Sequence, residues 1–317
     1  MKIEVVFTGG TIGSKLNNNV IAPDGSASYQ LLSYLPENVN VDAFEPFTTL
    51  SEYVTGKHLN MLFNCVNELL KKDYDGIIIT HGTDSLQFSA AALGYVFADS
   101  KIPIIFVSAQ YILDHPESNG KQNFLDAVEF IKEKHGKGVF VCYQNNDKRR
   151  YVHLGVRLLQ SSPYSDDVLS LCNSYYGEFT EEGFVLNDEI NSFESIGQVT
   201  LNEYCDSILS IDAKVGVNLS DIPDNTKAII HGTYHSGTLN TKNQNIFIKA
   251  TEKDIPVYLT GSSDDVVYES VSSFTKLKLI VLPKISPLAA YIKLWLILDG
   301  GLNRELLFKD LGDNIGG

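Results

Sequence analysis

Apolar, β-branched runs recur along the first half of the chain, and each is closed by a polar turn. Residues 3–7 (Ile-Glu-Val-Val-Phe) form one run, followed by Thr8-Gly9-Gly10-Thr11-Ile12-Gly13. Residues 75–80 form a second, followed by His81-Gly82-Thr83-Asp84-Ser85. Residues 102–107 lead into Ser108-Ala109-Gln110, residues 138–143 into a polar stretch, and residues 39–47 read as a further short strand. Runs this apolar predict strands buried on both faces. Segments of helical spacing lie between them. Leu59, Leu62, Phe63, Val66, Leu69 and Leu70 share one side of a helix over 56–71, which Thr55 caps. Residues 85–97 are Ala-rich and apolar, and Phe124, Leu125, Val128 and Ile131 mark a helix over 123–133. This rhythm predicts an α/β fold, its larger N-terminal domain a mostly parallel sheet flanked by helices.

Other stretches break the rhythm. Residues 15–25 are polar and turn-rich, which suits a plain surface loop or a mobile lid. Residues 144–162 carry Asn145, Asn146, Lys148, Arg149, Arg150, His153 and Arg157. They read either as a solvated loop or hairpin, or as positive potential beside an anion. Residues 163–204 are acidic and rich in Ser, Asn and Gly, so a linker is expected near 185–205. The domains are then 1–190 and a smaller α/β unit, 205–317. In the latter, residues 224–230 run into His231-Gly232-Thr233-Tyr234-His235-Ser236-Gly237-Thr238. Residues 257–260 are a short strand ended by Gly261-Ser262-Ser263, and 277–282 are another. Residues 288–298 form a strongly apolar helix, and 305–308 a last short one.

Length and composition narrow the classes. A chain of 317 residues exceeds one usual domain. At 44% hydrophobic and 20% charged it can build a large core without a disulfide or metal staple. The net charge of -14 argues against a nucleic-acid partner. Cys65, Cys142, Cys172 and Cys205 lack a Cys-x-x-Cys spacing, so reduced thiols are expected. No signal peptide or membrane-spanning run is visible, which makes the cytoplasm the expected location and a membrane partner unexpected.

Ligands in open parallel sheets bind outside the carboxyl ends of strands, so two hydroxyl-rich strand ends form a candidate site. The first turn lacks both the Gly-x-Gly-x-x-Gly spacing and the Lys-Ser or Lys-Thr of a P-loop. Thr11 and Thr83 each stand just beyond a strand and are candidate nucleophiles, which need a nearby base or cation. Asp84 suits a substrate ammonium, and amides of the Gly10 and Gly82 turns suit an oxyanion. A metal site from His81, Asp84, His231 and His235 is the rival. Gly232 and Gly237 speak against a helix there, and no His-Glu-x-x-His occurs. A Ser-His-Asp triad lacks its Gly-x-Ser-x-Gly elbow. His58, His115 and His135 read as surface or capping residues.

Three blocks carry a resemblance: Thr8-Gly9-Gly10-Thr11-Ile12-Gly13, His81-Gly82-Thr83-Asp84-Ser85, and Ser118-Asn119-Gly120 before Asn123-Phe124-Leu125-Asp126-Ala127. In their order and spacing the chain resembles the bacterial-type L-asparaginase family, nearer its cytoplasmic branch. The resemblance implies hydrolysis of the side-chain amide of L-asparagine to L-aspartate and ammonia, with neither metal nor organic cofactor. It makes Thr11 the nucleophile, has Thr83 activate or orient the attacking group, and gives Asp84 and Ser51 the substrate's ammonium and carboxylate. Glu52, Gly10, Gly82, Ser108 and Ala109 join as pocket residues. It also implies a homodimer or a dimer of dimers, with a small amino-acid amide as the partner molecule.

The chain departs from the pattern in four places. The loop tyrosine of the family falls near Val20 or Ile21, the nearest tyrosine being Tyr29. Asn119 stands where the third block carries Asp, and Leu288 where some relatives have an acid. No Lys follows the Cys142 strand to pair with Thr83 and Asp84. Arg157 falls closest, and it keeps the charge without readily yielding a proton. The alternative is therefore a degenerate or re-specified protein that binds a small amino acid or hydrolyses a different amide.

Overall fold

The computed structural model describes residues 1–17, 20–187, 194–219, 221–242, 245–262 and 268–315. Its chain divides into two units, Met1–Val199 and Thr200–Gly317. The first contains β1 (Lys2–Phe7), β2 (Ser14–Asn17), β3 (Val20–Pro23), α1 (Gly25–Gln30), β4 (Asn40–Phe44), α2 (Gly56–Leu69) and β5 (Gly76–Thr80). It continues with α3 (Leu86–Val96), β6 (Pro103–Val107), α4 (Gly120–Lys132), β7 (Gly138–Gln144), β8 (Arg150–Leu154), β9 (Gly177–Thr180) and β10 (Gly183–Leu186). One eight-stranded sheet runs β10-β9-β8-β7-β6-β5-β1-β4. From β4 to β7 the strands are parallel, and β8, β9 and β10 continue antiparallel.

The central parallel strands β5 and β6 are buried along their whole length because both their faces are covered, whereas the edge strand β4 alternates between exposed and half-buried positions. Ile3, Val5, Phe7, Ile78, Ile105 and Val107 pack with Phe124, Ala127, Val128 and Ile131 of α4 in one buried cluster. The helix α2 begins as its sequence suggests, in a capping box. The Thr55 backbone N–H donates to His58 Nδ1 at 3.2 Å, so His58 is a capping residue.

One segment differs from its sequence reading and another takes the first of its two readings. Residues 15–25 are largely an antiparallel ribbon, with Ser14 opposite Pro23 and Leu16 opposite Ile21. The expected loop tip at 18–19 lies outside the described residues. The basic stretch contains the β7–β8 hairpin, and two of its arginines meet acids. Arg149 forms a forked pair with Glu178 at 2.6–2.9 Å, and Arg150 reaches Asp126 at 2.9 Å. His153 is buried against Ser170 Oγ at 2.8 Å. These acids are distant in sequence, so the sequence leaves the hairpin and the positive-potential readings side by side. Within the expected linker, residues 188–193 lie outside the described residues.

The second unit holds β11 (Ile208–Ile211), β12 (Ala228–Gly232), α5 (Asn245–Glu252), β13 (Val257–Thr260), β14 (Leu279–Val281) and α6 (Pro287–Asp299). Its sheet is four-stranded and parallel, β11-β12-β13-β14. Ser263 of the expected Gly261-Ser262-Ser263 turn lies outside the described residues. Ser286 caps α6 by accepting from the Ala289 N–H at 3.0 Å, and Pro287 fills the first turn. Lys293 is buried within α6, where Nζ donates to Asp313 Oδ2 at 2.8 Å and to the Lys309 carbonyl at 2.6 Å. Among the described residues, no helix is long and apolar enough to cross a membrane.

Candidate active site

The register of β1 against β5 sets the site. Phe7 lies opposite Thr80, so both strands end at one level and their turns leave side by side. Thr8 Oγ1 donates to the Thr80 carbonyl at 2.6 Å, tying the two ends together. Gly10 then takes φ +78°, a left-handed value that glycine adopts without strain. The turns also touch. A Cβ on Gly10 would lie 2.3 Å from the Gly82 nitrogen. A Cβ on Gly82 would lie 2.5 Å from Ser51 Oγ and 3.2 Å from the Gly10 Cα. Close approach therefore requires both glycines, and conformation requires Gly10 as well.

A third segment joins them. The Thr49 N–H donates to the Thr8 carbonyl at 3.1 Å, which carries Ser51 to the second turn. Ser51 Oγ donates to Asp84 Oδ2 at 2.9 Å, and Ser85 Oγ donates to the Ser51 carbonyl at 2.6 Å. Ser51 is buried, whereas the Asp84 carboxylate and Glu52 are exposed. Thr11 opens a 3-10 turn, Thr11–Gly13, and is half-buried, with Ile12 buried next to it. The turn is closed by Gly13 N–H to the Gly10 carbonyl at 3.0 Å and by Ser14 Oγ to the same oxygen at 2.8 Å. The fold thus gathers Gly10, Gly82, Ser51 and Asp84 by direct contact, with Thr11 and Thr83 each the next residue beyond a contacting glycine.

Ser108 and Ala109 support this floor from behind. Both are fully buried, and Ser108 Oγ donates to the His81 carbonyl at 2.6 Å. His81 is also buried, and this pushes its imidazole down to about 4, so the ring is neutral. The third block acts as a clamp between strand ends. Asn119 Oδ1 accepts from the Gln110 N–H at 3.0 Å, and its Nδ2 donates to the Gln144 carbonyl at 2.8 Å. Asn123 Nδ2 donates to the Ser108 carbonyl at 2.8 Å, and its Oδ1 accepts from the Gln144 N–H at 2.7 Å. A carboxylate at 119 could not donate to Gln144, so the departure to Asn has a local reason.

Beyond Thr83 and Asp84 opens a cleft of about 340 Å³. Arg157, expected there as the cation, does not line it; Gln160 does. The cause lies in the 3-10 turn Gly155–Arg157, which packs on α3. A Cβ on Gly155 would lie 2.4 Å from the Ala90 carbonyl oxygen. Arg157 is buried at the end of that turn, and the chain reaches the cleft only three residues later. The sequence reading also missed Gln87 and Ser161. Gln87 Nε2 donates to Ser161 Oγ at 2.7 Å, and Ser161 Oγ donates to the Thr83 carbonyl at 3.5 Å. A lone amide in the apolar run Leu-Gln-Phe-Ser-Ala-Ala was the available signal for Gln87.

Of the rival metal candidates, His231 lies within β12 and bonds its own neighbour, the Gly232 carbonyl, at 2.6 Å, while His235 sits exposed in a tight turn. That turn is closed by Gly237 N–H to the Tyr234 carbonyl at 2.8 Å. Among the described residues, no three His, Cys, Asp or Glu side chains group to hold a metal ion.

The profile of the family described as Asparaginase, N-terminal, matches residues 2–190. A glutamyl-tRNA(Gln) amidotransferase subunit from Archaeoglobus fulgidus is 34% identical over 178 residues, which cover 54% of this chain and 42% of that protein. The protein of the same name from Methanosphaera stadtmanae is 25% identical over 312 residues, 92% of this chain and 70% of its own. This chain therefore spans less than half the length of the first relative. Among solved structures, the thermostable L-asparaginase from Thermococcus kodakarensis superposes with a TM-score of 0.83 at 20% identity, covering 100% of both chains. L-asparaginase I from Vibrio cholerae does so with a TM-score of 0.80 at 22% identity, covering 99% of this chain and 98% of its own. At these identities the superpositions establish the fold.

Proposed function

The chain belongs to the asparaginase family, and we propose that it is an asparaginase-like amidohydrolase with a re-specified pocket. The hydroxyl of Thr11 attacks the carbonyl carbon of a side-chain amide. The tetrahedral oxyanion collapses, the carbon–nitrogen bond breaks and ammonia leaves with a proton. Water then attacks the ester on Thr11, releasing the acid and restoring the hydroxyl. Asp84, aligned by Ser51, takes the substrate ammonium. One observation carries the reading. The Gly10 and Gly82 turns abut, and the Ser51–Asp84 pair at 2.9 Å sits against the same glycine.

The pocket is re-specified because Gln160 lines the cleft with Thr83 and Asp84. An amide neither carries charge nor takes up a proton at neutral pH, so the hydroxyl proton leaves without a cationic helper. Slower turnover, or turnover of another amide, follows from that. The test is ammonia release from L-asparagine, L-glutamine and their α-methyl esters. The wild-type protein is expected to release ammonia from at least one, and Thr11→Ala to lose about 10³-fold or more in kcat. Undiminished release by Thr11→Ala would overturn Thr11 as nucleophile.

The similarity to proteins named as glutamyl-tRNA(Gln) amidotransferase subunits supports a second reading, in which the chain works with other proteins and glutamyl-tRNA accepts the ammonia. Ammonia release that rises on adding glutamyl-tRNA and a co-purifying protein favours this reading. Release indifferent to both favours the free-standing hydrolase.

A further inference from the structure

The peptide between Thr83 and Asp84 is held from both sides. Its N–H, on Asp84, donates to Ser51 Oγ at 3.3 Å, and its carbonyl, on Thr83, accepts from Ser161 Oγ at 3.5 Å. Carbonyl and N–H point opposite ways across a trans peptide, so the two serines fix one plane. The directions in which the Thr83 and Asp84 side chains leave the backbone are set with it. Ser51 is oriented by Asp84 itself, through the 2.9 Å bond to Oδ2. Ser161 is oriented by Gln87, whose Nε2 donates to its Oγ at 2.7 Å. Gln87 lies in the first turn of α3 and is 1% exposed. Its Oε1 has no hydrogen-bond partner among the described residues. A buried amide satisfied on one side only weakens the fold relative to an apolar side chain of its size. Its one bond is directed at the strand-end turn.

An amide nitrogen can only donate. Ser161 Oγ therefore accepts from Gln87, and the single proton of the hydroxyl is left for the Thr83 carbonyl. At 3.5 Å that second bond is long, and it holds only while the proton is aimed along it. We propose that Gln87, acting through Ser161, is a positioning residue that sets the Thr83–Asp84 peptide for the amide substrate. The proposal deepens the amidohydrolase reading and rests on it. Gln87 itself makes no bond to the substrate.

The test is a double-variant cycle on the full chain, reading kcat/KM from ammonia release, L-aspartate affinity by calorimetry, and a denaturant melt. Ser161→Ala and Gln87→Leu should each lower kcat/KM about threefold to tenfold, the effect of one ordinary hydrogen bond. The double variant should lose no more than Ser161→Ala alone, because Gln87 acts through that hydroxyl. Gln87→Leu should melt at no lower denaturant concentration than wild type, since it removes an unpaired buried oxygen. Gln87→Glu keeps the size and reverses the bond: its carboxylate accepts the Ser161 proton and withdraws it from Thr83. Its kcat/KM should lie below that of Gln87→Leu, and should recover relative to wild type from about pH 8 to about pH 5 as the carboxyl takes up a proton. Losses that add in the cycle, a Gln87→Glu profile parallel to wild type, or a weakened Gln87→Leu fold each overturn the positioning role and leave hydrolysis standing. If wild type binds L-aspartate without releasing ammonia, the cycle in affinity decides: non-additive losses uphold positioning and overturn hydrolysis, and additive losses overturn both. Neither binding nor release also overturns both.

Discussion

Gly82→Ala tests the meeting of the two turns. The added Cβ would lie 2.5 Å from Ser51 Oγ, 2.6 Å from Ser51 Cβ and 3.2 Å from the Gly10 Cα. Ser51 cannot retreat freely. Its Oγ donates to Asp84 Oδ2 at 2.9 Å and accepts from the Asp84 N–H at 3.3 Å, and its carbonyl accepts from Ser85 Oγ at 2.6 Å. Overpacking of a tight contact costs about 1–3 kcal/mol. A lost hydrogen bond to a charged group costs about 1.5–3 kcal/mol. Binding of the ammonium-bearing substrate should then weaken about tenfold to a hundredfold, at about 1.4 kcal/mol per decade. Denaturant melts and KM in the ammonia assay measure the two effects separately. Ser51→Gly in the same chain vacates the space, so the double variant should regain stability without regaining affinity. Gly25→Ala is the control, because nothing lies within 4 Å of its added Cβ. A Gly82→Ala protein that matches wild type in both melt and KM would refute the contact.

Gln160→Lys returns a cation to Thr83 and Asp84, and kcat should rise by about 10²-fold, the low end for a positioned proton-transfer group; an unchanged kcat would mean that proton removal is not limiting. Asn123→Leu removes both links among the β6 and β7 ends and should cost about 2–4 kcal/mol in a denaturant melt, because the Ser108 carbonyl and the Gln144 N–H lose a partner. Burial pushes His153 down to about 3. Its neutral form stabilises the fold above pH 6.5, and that contribution is lost as the pH falls toward 3. The stability gap between wild type and His153→Gln should therefore narrow by about 1.4 kcal/mol per pH unit below 6.5, and parallel curves would contradict it. Asp313→Ala removes the carboxylate partner of the Lys293 ammonium, whose side chain is 1% exposed. It should cost about 3–5 kcal/mol, most of it recovered by Lys293→Met/Asp313→Leu.

The strands that position the site were legible because their chemistry is local. The apolar runs before Thr8 and His81 announce buried strands of a sheet, and Thr55 announces the start of α2. What escaped the sequence was set by distance or by a single turn. The ribbon of β2 and β3 has only four residues in each strand, too few for a clear alternation, and the pairing of one strand with the other decides it. The charges of Arg149 and Arg150 are met by Glu178 and Asp126, which no local pattern reveals. Arg157 and Gln160 stand three residues apart in sequence. The packing of Gly155 on the Ala90 carbonyl decides which of them reaches the cleft. That the third block ties strand ends together is likewise visible only once β6 and β7 lie side by side.

The account turns on a covalent bond to Thr11. Quenched turnover of L-asparagine, followed by peptide mass analysis, measures it directly. A peptide spanning Thr11 heavier by the substrate's mass less that of ammonia, and absent from Thr11→Ala, is the predicted result. Steady ammonia release with the Thr11 peptide never modified, or the same adduct on another residue, would contradict it.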